Sequence, residues 1–183
     1  ICWLCCCLLW SLAAPVHAVE NLVFEQISDR DGLSHNTVRC LMQDREGFIW
    51  AGTVNGLNRF NGREFSVMLP QYGDFATIAD NRIRTVVQDK HDYIWVYTTA
   101  NIVCCYDTRL EKFIDYAPDN HEKSFSKIRI FSNDDVWLWG SEGGCCRIRH
   151  LKDGTLQAFS YAESEIGSND IAFVYEDMLD RIW

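Results

Sequence analysis

The residues of this chain that could do chemistry are scattered along it. The five histidines, His17, His35, His91, His121 and His150, stand singly, and no His-Glu-x-x-His, Gly-x-Ser-x-Gly, phosphate-loop or dinucleotide-binding fingerprint is present. Hydrolysis, phosphoryl transfer and cofactor chemistry therefore have no starting point, and no catalytic residue, metal or cofactor is expected. Asp29-Arg30-Asp31-Gly32 begins like a calcium loop but lacks the further oxygen ligands and the closing Glu, so it reads as a turn. Of nine cysteines, Cys2, Cys5, Cys6 and Cys7 lie in an apolar leading segment; Cys40, Cys104, Cys105, Cys145 and Cys146 remain, an odd set without Cys-x-x-Cys spacing. Cys104 and Cys146 each follow a Trp by nine residues, which makes a bridge conceivable. Buried thiols are preferred, because equivalent strands of neighbouring repeats usually lie too far apart to be bridged. One chemically able pattern does recur: Asp44, Asp89 and Asp177 each stand six residues before a Trp. A ring of carboxylates is the sharper reading; an Asp that caps a turn by accepting backbone N–H bonds is the better one.

The elements that position these residues are repeats. Trp50, Trp95, Trp137 and Trp183 follow one another at 45, 42 and 46 residues, a period typical of four-stranded β-blades. In the first repeat, residues 38–42, 48–52, 56–60 and 64–68 read as strands, with Asn55-Gly56 and Asn61-Gly62 as hairpin turns whose two central residues both take positive φ. Asn36, Asn81 and Asn169 each stand 14 residues before their Trp. Ser126-Lys127-Ile128 stands only 11 before Trp137, which reads as a three-residue shortening of the first hairpin at Asn133-Asp134-Asp135. Gly52 gives way to Tyr97 and Trp139, and Gly56 to Asn101 and Gly143. The expected architecture is an all-β propeller of four-stranded antiparallel blades. Residues 36–80, 81–123 and 124–167 form three blades, and residues 168–183 part of a fourth. A strand over residues 22–27 within 19–35 precedes them.

A Trp held in one register of every blade is better used for packing between blades than for stacking on a sugar. Ligand contacts are to be sought where repeats disagree, and Tyr97, Trp139, Arg59 and Arg147 are the weak candidates for a ligand-binding role.

The 183 residues are 48% apolar and 13% aromatic, with three prolines and no low-complexity run, as in a globular domain. A net charge of −9 without basic runs disfavours nucleic acid and anionic membranes as partners of this segment. Residues 1–18 carry no charged side chain and end in Val16-His17-Ala18, which fits a secretory signal whose start is missing. The chain is expected to be a truncated part of a longer, exported protein.

Residues 32–65, with Asp31-Gly32-Leu33-Ser34-x-Asn36-x-Val38, Gln43-Asp44 and Gly47-Phe48-Ile49-Trp50-Ala51-Gly52-Thr53 as their most specific part, resemble the two-component-regulator propeller repeat. The likeness extends over most of residues 23–183, to the periplasmic sensor region of hybrid two-component systems. This resemblance implies two seven-bladed propellers, an immunoglobulin-like module, a membrane helix outside this segment, and cytoplasmic histidine kinase, receiver and DNA-binding domains. It also implies a small oligosaccharide ligand, a homodimeric whole protein, a ring closed by residues 22–27, and a periplasmic segment that senses but does not catalyse. An exported propeller polysaccharide lyase or glycosidase is the alternative, and an adhesive scaffold a third reading.

Overall fold

The computed structural model describes residues 23–71, 77–116, 125–141, 143–161 and 163–183; the leader read over residues 1–18 lies outside them. Among the described residues, twelve strands form three four-stranded antiparallel sheets in meander order. The first holds β1 (Val38–Gln43), β2 (Ile49–Thr53), β3 (Gly56–Phe60) and β4 (Phe65–Met68). The second holds β5 (Ile83–Gln88), β6 (Tyr93–Thr98), β7 (Val103–Asp107) and β8 (Lys112–Ile114). The third holds β9 (Lys127–Ile130), β10 (Val136–Trp139), β11 (Cys145–His150) and β12 (Leu156–Tyr161). A Glu176–Ile182 bridge starts the same hairpin once more. These are propeller blades.

Alternation along each second strand makes the blades stack. In β6, Ile94 and Val96 join Trp50, Leu57 and Ile83 in a core shared with the first blade, while Tyr93, Trp95 and Tyr97 join Val136, Leu138, Cys146 and Ile148 of the third. All six β6 residues are buried, because both faces of the sheet are covered. Trp137 and Trp139 then point the other way from Val136 and Leu138, into a cluster with Phe131, Cys145 and Val174. Trp50, Trp95 and Trp137 therefore each face the blade that follows. Trp50 and Trp95 are fully buried, whereas Trp183 is 67% exposed.

Several expectations are corrected. Val23–Ile27 forms no strand, and Phe24 is exposed. The chain instead turns at Asp29–Asp31, capped reciprocally by Ser28 and Asp31 and closed by Gly32 at φ 100°. Leu33 is buried beyond it, and Asn58 clamps the next residue: Ser34 N–H donates to Asn58 Oδ1 at 2.8 Å and Asn58 Nδ2 to Ser34 Oγ at 2.8 Å. In the Asn55-Gly56 and Asn61-Gly62 turns only the glycines have positive φ, at 121° and 93°. Thr53 pairs with Gly56, so Val54 and Asn55 form the bend and Gly56 the positive-φ residue after it. Asn101 holds that place in the second blade at φ 61°. In the third, Gly144 rather than Gly143 does so, at φ 66°.

The third blade's shortening also lies elsewhere. Trp137 pairs with Arg129 as Trp50 pairs with Met42, so the first hairpin has its full length. The missing residues are at the start of β9, which lacks the register shift seen in β1 and β5.

The five described cysteines are not disulfide-bonded, and the Cys104–Cys146 bridge does not form. Burial pushes the Cys104 thiol up to about 11 and the Cys145 thiol likewise to about 11; Cys105 is raised well above the ordinary value for the same reason. At pH 8 a disulfide reagent should therefore leave these three unmodified in the native protein and react with them only after denaturation. Absorbance release measured with and without denaturant checks this; fast native labelling of all three would contradict their burial.

Candidate functional site

The recurring Asp is a clasp for the recurring Trp. Asp44 Oδ1 accepts the N–H groups of Glu46 and Phe48 at 3.0 and 2.9 Å, while Oδ2 accepts the Trp50 indole N–H at 2.7 Å. Asp89 does the same for His91, Tyr93 and Trp95, and Asp177 for Leu179, Arg181 and Trp183. Six residues is the separation at which a turn Asp and a Trp across the hairpin meet. In the third blade Phe131 occupies the Asp place, and the buried Trp137 indole N–H has no partner. Burial raises the Asp89 carboxyl, but the His150 and Trp95 hydrogen bonds, the nearby His150 charge and the Tyr93 N–H outweigh it and hold it below its ordinary value. The Trp183 indole, opposed by slight desolvation and helped by the Arg181 and Leu179 donors, brings Asp177 down to about 2.

Three residues after each clasp position the backbone turns left-handed, at Gly47, Asp92, Asp134 and Asp180. The side chains there join consecutive blades. Arg45 Nη1 donates to Asp92 at 2.6 Å, Lys90 N–H to Asp134 Oδ1 at 3.1 Å, and Ser132 Oγ to Asp180 at 3.3 Å. At this end of the stack, one interface departs from the others.

Between the second and third blades, His91 of the β5–β6 turn stacks on His150 at the end of β11, with ring centroids 3.9 Å apart, and Tyr93 stacks behind at 5.2 Å. His150 Nε2 lies 3.0 Å from the buried Asp89 carboxylate. His91 Nε2 lies 3.0 Å from Asp134 Oδ2, a buried oxygen without a hydrogen-bond donor. A cavity of about 240 Å³ opens here, lined by His91, Asn133, Asp134, Asp135, Arg147, Arg149 and His150. Asp135 pairs with Arg147 and, at 3.5 Å, with Arg149. A second, more open cavity of about 420 Å³ lies at Asn55, Leu69, Pro70, Ala79, Asp80 and Asn81, between the first two blades.

The residues singled out from sequence are not brought together. Tyr97 and Trp139, at 3% and 4% exposure, are packed between blades in separate clusters. Tyr97 Oη donates to Asn101 at 2.5 Å. Arg59 and Arg147 occupy equivalent places in the first and third blades: each stands across from its blade's Trp, with its guanidinium 5.7 Å from that ring. Arg59 also lies 3.7 Å over Phe48 and pairs with Glu111 at 3.1 Å. Of the four, only Arg147 reaches the inter-blade cavity. His91 and His150, read as isolated, are in contact. Their signal in the sequence was positional: His91 and Asp134 follow the clasp positions of consecutive repeats by two and three residues.

With this geometry in hand, known proteins give a consistent picture. Residues 32–55 match the two-component regulator propeller family. A 48-residue stretch is 42% identical to a histidine kinase of Formosa agariphila, covering 26% of this chain and 4% of that protein. The fold is similar to that of the extracellular domain of a B. thetaiotaomicron protein assigned to the hybrid two-component systems: TM-score 0.64, 22% identity, 83% of this chain and 22% of that one. It is also similar to a second B. thetaiotaomicron extracellular domain, assigned to a one-component system, with TM-score 0.56, 23% identity, 81% of this chain and 22% of that one. The chain thus spans less than a quarter of the solved relatives' length. Residues 32–55 carry the two-component regulator propeller repeat, on blades folded like those of these two extracellular domains.

Proposed function

We propose that this chain forms part of the extracellular, periplasmic sensor propeller of a transmembrane hybrid two-component regulator and that the ligand it reports is a small oligosaccharide. The observation that carries the reading is the family match at residues 32–55, which contains the Asp44–Trp50 clasp repeated through the chain. Among the described residues no helix is long and apolar enough to cross a membrane. Binding would shift the geometry of two protomers and so the activity of a kinase across the membrane, which requires differential affinity for two states. Turnover of the ligand is not part of this role. With Trp50, Trp95 and Trp137 absorbed in packing, the polar cavity between the second and third blades offers the polar and charged groups that a ligand could meet in this segment.

The test uses the intact protein: calorimetric titration with a panel of neutral and acidic oligosaccharides, together with a transcriptional reporter in cells. One glycan class that both binds and induces is the expected result. A full-length protein without a kinase or DNA-binding region, or one that degrades the glycans it binds, would overturn the proposal.

A further inference from the structure

The histidine pair at the second blade interface has chemistry that sensing does not require. One donor atom each from His91, Asp134 and His150 lies within 4.8 Å of the others. Three features are those of ligands around an ion. The first is the orphaned oxygen: Asp134 is 8% exposed, its Oδ1 is taken by Lys90 N–H, and its Oδ2 has no hydrogen-bond donor. A buried carboxylate oxygen that has an imidazole nitrogen beside it but accepts no hydrogen bond is incompletely satisfied, and a native interior calls for a further partner. The second is spacing. His91 Nε2 sits 3.0 Å from that oxygen without making a hydrogen bond to it. That separation is close to the edge between two ligands whose bonds to one metal are about 2 Å each. The third is the outer support of His150: its Nε2 faces the buried Asp89 carboxylate, itself fixed by Trp95 and two backbone N–H groups. A carboxylate on the far ring nitrogen orients a ligating imidazole and raises its basicity. This leaves Nδ1 as the coordinating atom.

We infer that His91, Asp134 and His150 form a binding site for a divalent transition-metal ion of the Zn2+ class, which staples the second blade to the third. Two imidazoles and one carboxylate suit borderline metals. Ca2+ and Mg2+ are disfavoured, since both want a mostly oxygen shell. The guanidinium groups of Arg147 and Arg149 line the same cavity and share the one Asp135 carboxylate, which offsets one of their two charges; Arg149 is half-exposed, so solvent screens the other. His91 is exposed, so an ion can enter from solvent, and the cavity leaves a coordination position for water. The inference stands apart from the sensor reading, since it rests on no sugar and no kinase.

The test is equilibrium binding of Zn2+ alone to the intact, chelator-stripped protein, with thermal unfolding as a second readout. The unmodified protein should bind one equivalent at this site and unfold at a higher temperature with Zn2+. His91→Gln removes an exposed ligand without touching the core, and should lower affinity at least tenfold and abolish the thermal shift. Asp134→Asn, which keeps a residue tolerant of the left-handed turn, should do the same. Asp89→Asn should cost about 10–100-fold through His150. Failure of the unmodified protein to bind Zn2+, or affinity and thermal shift unchanged in folded His91→Gln and Asp134→Asn, would overturn the site. A sugar-binding result of either sign leaves this outcome unaffected.

Discussion

Asp89→Ala should destabilise the protein by about 3–5 kcal/mol, the range for removing one partner from a buried charged network. The carboxylate accepts four hydrogen bonds at once, from the His91 and Tyr93 N–H groups, the Trp95 indole and His150. Deleting it leaves the Trp95 indole and Tyr93 N–H buried with no acceptor, at about 1–3 kcal/mol for each unsatisfied group. Asp177→Ala removes the same clasp around an exposed Trp183 and should change stability little, because solvent replaces the lost acceptor. Denaturant unfolding of the two variants side by side checks this; equal losses at both positions would show that the clasp is not governed by burial. Acid should reproduce part of the effect. The Asp89 pKa is depressed in the folded state, so its contribution is present above the ordinary Asp value near 3.9 and is lost as pH falls through the folded value. Unfolding midpoints followed downward from pH 5 should therefore fall more in the unmodified protein than in Asp89→Asn.

Gly52→Ala is the second large effect. A Cβ there would lie 2.5 Å from Cys40 Sγ, 2.5 Å from Ile83 Cγ2 and 2.9 Å from Ile83 Cβ, in the seam between the first two blades. Neither side chain can retreat freely, since Ile83 is fully buried and Cys40 packs on the same core. Overpacking of this kind costs about 1–3 kcal/mol. In an Ile83→Ala background the penalty should shrink, because the nearest methyl is gone; a double-mutant cycle measures the coupling. Additive losses would indicate that strain at Gly52 does not come from Ile83. Tyr97 and Trp139 fill the same register position in the next blades, so the first seam is closed by backbone approach and the later ones by rings.

Much of the fold was legible because its parts are local. The Asp-to-Trp spacing closes a hydrogen bond within one hairpin, and strand alternation needs only the next two residues along the chain. The turn at Asn101 was readable for the same reason: Asn tolerates a left-handed backbone. Misreadings arose where an inference depended on something across a gap. Residues 22–27 alternate like a strand, yet the described Val23–Ile27 has no edge to join. The third blade's shortening reads from spacing as a loss at Asn133-Asp134-Asp135, whereas the first hairpin is full length and the loss lies at the start of β9, where the one-residue bulge of β1 and β5 is absent; spacing counts missing residues but does not say on which side of a strand they are missing.

By itself, then, the sequence determined a propeller repeat, the number of its blades' strands and the use of its Trp for packing between blades, since these follow from periodicity within 40–50 residues. Only the tertiary structure decided which chemistry is shared between blades. His91 and His150 are 59 positions apart and meet because stacking carries the end of β11 over the preceding blade's first turn. Contacts between sheets depend on the rotation from one blade to the next, and no spacing along the chain encodes that rotation.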